Sequence, residues 1–104
     1  MNKFDDREKS YEKKFQIEEE LQFKTAARSN KYLGEWVALK LEKSEEQKKM
    51  YIQEIIKADM EEAGNEDVFR KIKKDFDTAS VSVEESEIRE QMKKALLRAK
   101  DDFK

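Results

Sequence analysis

A chain of 104 residues fits one small domain, and its 46% charged residues, 23 basic against 25 acidic for a net charge of -2, read as solvated helix faces rather than as a one-sign disordered tail. There is no His and no Cys, which excludes thiolate nucleophiles, disulfides, the usual zinc sites and Ser-His-Asp catalysis. The near-neutral balance without a basic block argues against nucleic acid as a partner, and no apolar run approaches the roughly 18 residues of a membrane span.

Pro is absent, Gly occurs twice, and Ala, Glu, Lys, Leu and Arg make up about half of the chain, a composition of long helices. The first predicted helix covers residues 4–41, roughly 55 Å at about 1.5 Å per residue, and outruns every later one. Its first part carries Phe4, Tyr11 and Phe15 at i, i+7 and i+11, within about 40° on one face. Asp5, Asp6 and Glu8 favour the macrodipole at the helix start, and Lys13 and Lys14 follow. One aromatic stripe with nothing to pack on is marginal alone. Residues 1–16 therefore read as a mobile segment that becomes helical when bound, or else as a stripe folded back on the bundle.

From Ile17 and Leu21 an apolar pattern runs through Thr25, Arg28, Tyr32, Trp36 and Leu39, with Phe23, Leu33, Val37 and Leu41 widening it into a core-facing helix. Gly34 interrupts that helix at about 1 kcal/mol relative to Ala, which predicts close approach of another backbone. Trp36 reads as core packing, and Arg28 as either a buried ion pair or, more commonly, a snorkelling side chain at the rim.

Ser44 and Gln47 match a capping box that opens a second helix over about residues 45–61, patterned by Met50, Tyr51, Ile55, Ala58 and Met60. Gly64 and Asn65 supply a stop and a fresh N-cap, and Val68, Phe69, Ile72 and Phe76 mark a third helix. Ser82 with Glu85 predicts another capping box for a fourth helix, whose inner face holds Ile88, Met92, Ala95, Leu96 and Ala99. The fold class is all-α, a four-helix bundle of residues 17–104 within one helical domain, whose long first helix protrudes or is disordered at its N-terminal end when free.

Carboxylates abound but lie on charged faces, where a catalytic pair would stay solvated. Glu61, Glu62, Glu66 and Asp67 crowd one turn without EF-hand spacing, so no metal and no cofactor is expected. Two classes of function remain open beside a partner-binding role for the aromatic stripe: a helical scaffold that self-associates through it, and a weak nucleotide-binding regulatory protein.

The sequence resembles the zeta subunit of the alphaproteobacterial ATP synthase, its ATPase inhibitor. The resemblance is carried by Phe4-Asp5-Asp6-Arg7-Glu8, Glu20-Leu21-Gln22-Phe23-Lys24, Ala27-Arg28-Ser29-Asn30-Lys31-Tyr32-Leu33-Gly34-Glu35-Trp36 and Gly64-Asn65-Glu66-Asp67-Val68-Phe69-Arg70-Lys71. Ser29, Tyr32 and Asn65 depart from the family's usual basic residue, Leu and Asp. The resemblance implies a non-enzymatic four-helix protein, monomeric when free and cytoplasmic, peripheral on the inner membrane. It also implies that the N-terminal region inserts between the α, β and γ subunits of the catalytic head and stops rotation during hydrolysis. On that reading Phe4, Asp5, Asp6, Arg7, Glu8, Tyr11, Lys14 and Phe15 are the partner-binding residues, and Gly34, Trp36, Gly64 and Asn65 are structural.

Overall fold

The structure, a computed structural model, describes residues 3–61 and 66–104, with side chains described from Glu19 onward. Four helices follow one another: α1 (Lys3–Lys40), α2 (Glu45–Glu61), α3 (Glu66–Thr78) and α4 (Glu85–Asp102). The fold is all-α, and there is no strand among the described residues. Each helix packs on its neighbours in the ring α1, α2, α3, α4, and α4 returns to α1. The helix stop read at Gly64, the N-cap read at Asn65 and the Glu62 carboxylate lie outside the described residues.

The core is one cluster. Leu33 and Val37 of α1, Tyr51 and Ile55 of α2, Val68, Phe69, Ile72 and Phe76 of α3, and Ile88 and Ala95 of α4 are all buried in it. Trp36 is partly buried against that cluster, its ring edge-on to Phe76 with centroids 5.7 Å apart. Such an arrangement puts the positive ring edge against the negative face and adds to the area buried.

Chemistry at the helix ends sets the corners. The capping box at Ser44 is reciprocal: the Gln47 backbone N–H donates to Ser44 Oγ at 3.3 Å, and the Ser44 N–H donates to Gln47 Oε1 at 3.1 Å. α1 and α3 both end in Schellman turns without glycine. Lys43 N–H donates to Ala38 O at 3.0 Å and Glu42 N–H to Leu39 O at 3.2 Å, with Glu42 at φ 55°. After α3, Val81 N–H donates to Phe76 O at 2.9 Å and Ser80 N–H to Asp77 O at 3.1 Å, with Ser80 at φ 58°.

Four expectations are corrected. Ser82 does not cap α4: the N-cap is Glu84, extended at φ -68° and ψ 143° with no side-chain cap, while the Glu85 carboxylate is drawn across to Lys73 of α3. Val81 and Val83 pack against the core and carry the chain past Ser82 before the helix can begin. Leu39 is exposed, because the buried face of α1 runs through Leu33, Val37 and Ala38 and leaves Leu39 turned outward. Met50 and Met60 are exposed beside buried Tyr51 and Ile55, since the inward face of α2 is narrower than its apolar pattern. Phe23 is exposed as well, because α1 outruns the helices that pack on it.

Candidate functional site

α1 has 38 residues, α2 has 17 and α4 has 18. At about 1.5 Å per residue α1 is roughly 57 Å long, and α2 and α4 can each lie against less than half of it. Where they stop is visible in the contacts. The Asn30 side-chain amide donates to Asp59 Oδ2 at 2.9 Å, close to the end of α2. On another side, Tyr32 Oη donates to Asp102 Oδ2, Arg28 Nη1 lies 3.9 Å from the same carboxylate oxygen, and the Arg28 guanidinium sits 5.5 Å from the Phe103 ring centroid. Arg98 covers the face of Tyr32 at 3.8 Å. Both neighbours of α1 thus end level with about Arg28.

Arg28 is a rim residue. Its side chain is 42% exposed, so its pair with Asp102 is wet and worth little by itself, and its stem and guanidinium cover Phe103.

Phe4, Tyr11 and Phe15, with Asp5, Asp6, Arg7, Glu8 and Lys14, belong to the N-terminal stretch of α1. Their side chains lie outside the described residues. Gly34 sits where α1 and α2 touch: a Cβ there would lie 2.8 Å from Ile52 Cγ1 and 3.2 Å from Ile52 Cα.

The remaining polar groups serve the bundle. Glu66 accepts from both Arg89 guanidinium nitrogens at 3.0 and 3.3 Å, and this hydrogen bonding holds its carboxyl below the usual range. Arg89 also covers Phe69 at 4.0 Å. Glu85 is likewise lowered and Lys73 raised by their shared hydrogen bond. Tyr51 Oη donates to Asp75 Oδ2 at 2.8 Å, and Lys71 approaches the same oxygen at 3.1 Å. Burial first, and the Asp75 hydrogen bond second, push the Tyr51 hydroxyl well above its ordinary range.

A cleft of about 470 Å³ lined by residues of all four helices holds both Asn30–Asp59 and Glu66–Arg89, but these polar groups already satisfy one another. Among the described residues, no buried side-chain N or O lacks a hydrogen-bond partner, and no group of three acidic residues is placed to hold a metal ion. Nor is any described helix long and apolar enough to cross a membrane. Sequence reasoning missed Asn30 and Asp102 as interhelical fasteners. Their signal was a polar residue on a buried register, which periodicity alone scores as a defect.

The fold and its contacts define the class: a small all-α protein in which three short helices gather at one end of a helix more than twice as long as any of them. The chain belongs to the ATPase inhibitor subunit zeta family, whose sequence model matches residues 1–102. That family is one of inhibitor subunits, and the role it supports is regulatory. A protein solved by solution NMR is similar in fold and sequence, at 42% identity and a TM-score of 0.71, over 80% of this chain and 94% of that one. A search of curated proteins gave no match.

Proposed function

We propose that this protein inhibits F-type ATP synthase by inserting residues 1–16 between the α, β and γ subunits of the catalytic head and blocking rotation in the hydrolysis direction. Phe4, Tyr11 and Phe15 are the apolar anchors of a helix-in-groove contact, flanked by Asp5, Asp6, Arg7, Glu8 and Lys14. Residues 17–104 form the bundle that carries the inhibitory helix, and the free protein is a monomer that attaches to the enzyme at the cytoplasmic face of the membrane. The observation that carries this reading is the length mismatch: α1 continues without a break from Lys40 back to Lys3, while its neighbours end level with Arg28. Family membership supports the identity of the target.

Burying three aromatic side chains of about 200 Å² each at roughly 25 cal/mol per Å² gives at most about 15 kcal/mol, and association and ordering cost a similar amount. A net affinity that small makes the direction of rotation decisive. Rotation that tightens the groove around the helix strengthens each anchor contact and stabilises the closed state. Rotation driven the other way by the proton gradient opens the groove and expels the helix. The protein therefore inhibits hydrolysis more than synthesis, which is read by assaying both reactions in membrane vesicles with and without it.

Removing residues 1–16 tests the assignment of the segment. The expected result is a Tm within a few degrees of the full chain and complete loss of ATPase inhibition. Retained inhibition, or a fall in Tm of more than about 10 °C, would refute it.

A further inference from the structure

Two large apolar side chains stand on α1 just beyond the ends of its neighbours: Phe23, 63% exposed, and Leu21, 40% exposed. Neither is placed at random. At 100° per residue Phe23 falls in line with Asn30, Gly34 and Val37, the stripe of α1 that meets α2 at Asp59 and Ile52. Leu21 falls in line with Thr25, Arg28 and Tyr32, the stripe that meets the end of α4 at Asp102 and Phe103. Both packing stripes of the bundle thus continue one to two turns past the last residue that could cover them. Leu21 and Phe23 themselves are roughly 160° apart around the helix, and by helical register alone positions 4, 11 and 15 fall in the arc between them.

We infer that the inhibitory contact does not end at residue 16 but runs to the edge of the bundle, with Leu21 and Phe23 seated on the two opposing apolar walls of the partner's groove at its mouth. This rests on the proposed function and adds its boundary. A single helix with its side chains is about 10–12 Å across, whereas the chain measures 25 × 23 Å across its long axis. A groove that admits α1 alone cannot admit the bundle, so insertion stops where the bundle begins. The residues at the mouth are then those immediately before Thr25. Two side chains on opposite sides of one helix cannot both be buried by a flat surface, and a two-walled groove meets both.

Charge specifies one wall. Glu19 and Glu20 are exposed, stand four and three residues before Phe23, and so flank it on the helix surface. Among the described residues no ion pair engages either of them. The wall that receives Phe23 is therefore an apolar pocket rimmed by Lys or Arg.

The test uses the full-length chain and the purified catalytic head. Phe23→Ala and Leu21→Ala should each raise the concentration for half-inhibition about tenfold or more while leaving Tm unchanged, because both side chains are exposed in the free protein. Glu19→Lys with Glu20→Lys should weaken inhibition most at low salt. A photo-crosslinking residue at position 23 should capture a subunit of the head, and the same residue at position 97, where Leu97 is exposed on the far side of α4, should not. If the wild-type chain inhibits and both alanine variants inhibit within twofold of it, this inference falls and the proposed function stands. If the wild-type chain does not inhibit, the proposed function falls and takes this boundary with it. Sedimentation that shows a wild-type dimer abolished by Phe23→Ala would also overturn it, by making a second copy the occupant.

Discussion

Replacing Gly34 by alanine sets two effects of opposite sign against each other. In an exposed helix the change gains about 1 kcal/mol. Here the new methyl would lie 2.8 Å from Ile52 Cγ1 and 3.2 Å from Ile52 Cα. Carbon atoms rest at roughly 3.5–4.0 Å, so the nearer contact is short by about 0.7 Å. Neither atom can simply swing away, since Cγ1 is one bond from Cβ and Cα is main chain. α2 must retreat, and a gap of about half an ångström along the seam forfeits a quarter or more of the dispersion there. Overpacking of this kind costs about 1–3 kcal/mol. The expected balance for Gly34→Ala is a loss of about 1 kcal/mol, and for Gly34→Leu about 3 kcal/mol or more. Urea unfolding followed by the fluorescence of Trp36, the sole Trp, reads it directly. In thermal unfolding 1 kcal/mol corresponds to about 4 °C. Ile52→Ala removes Cγ1 and should relieve part of the clash, giving a coupling of at least about 0.5 kcal/mol in a double-mutant cycle. A Gly34→Ala protein as stable as wild type, or more so, would refute the close-packing argument.

Ser44→Ala should cost about 1 kcal/mol because it removes a reciprocal cap, whereas Ser82→Ala should change stability by less than about 0.3 kcal/mol; paired urea curves compare them. Glu42→Gly and Ser80→Gly should each stabilise by roughly 0.5–1 kcal/mol, since both positions hold L residues at positive φ, and an unchanged urea midpoint would refute the strain. The folded-state pKa of Tyr51 is raised above its unfolded value, so its contribution is fully present below about pH 10 and is lost as pH rises beyond that. Tyr51→Phe should therefore flatten the alkaline fall in Tm, and an unchanged alkaline limb would refute the assignment.

Helix number, order and most boundaries were legible because each rests on local chemistry. Ser44 and Gln47 bond within one turn, and the apolar spacing of Val68, Phe69, Ile72 and Phe76 places all four inside. Gly34 was legible for a related reason: an uncompensated helix penalty signals a tertiary contact. What failed was anything set by the width or length of a neighbour. Met50 and Met60 lie on an apolar pattern wider than the surface that α1 and α3 present to α2, and Phe23 lies on a stripe that outlasts its partner. The motif at Ser82 and Glu85 was present in sequence but lost to Lys73, which competes for the same carboxylate. The two Schellman turns escaped notice because Glu42 and Ser80 stand where glycine is the usual marker. Of the proposed partner-binding residues, the aromatic spacing was readable in the sequence, and the exposure of Leu21 and Phe23 that carries the proposed extension was not. Periodicity describes a face and says nothing about where its cover ends.

The ring of helices closes by joining the first to the last, with Tyr32 bonded to Asp102 across 70 positions of sequence. A nascent chain extended at about 5–20 residues per second completes α1 and then waits roughly 3–12 s for the 62 residues from Lys40 to Asp102. During that interval α2 and α3 can dock on one side of α1, but the side destined for α4 stays bare. Until it is covered, the growing polypeptide offers one sticky flank to chaperones and to other half-made copies, and the yield of native protein in the cell depends on how quickly that flank is closed.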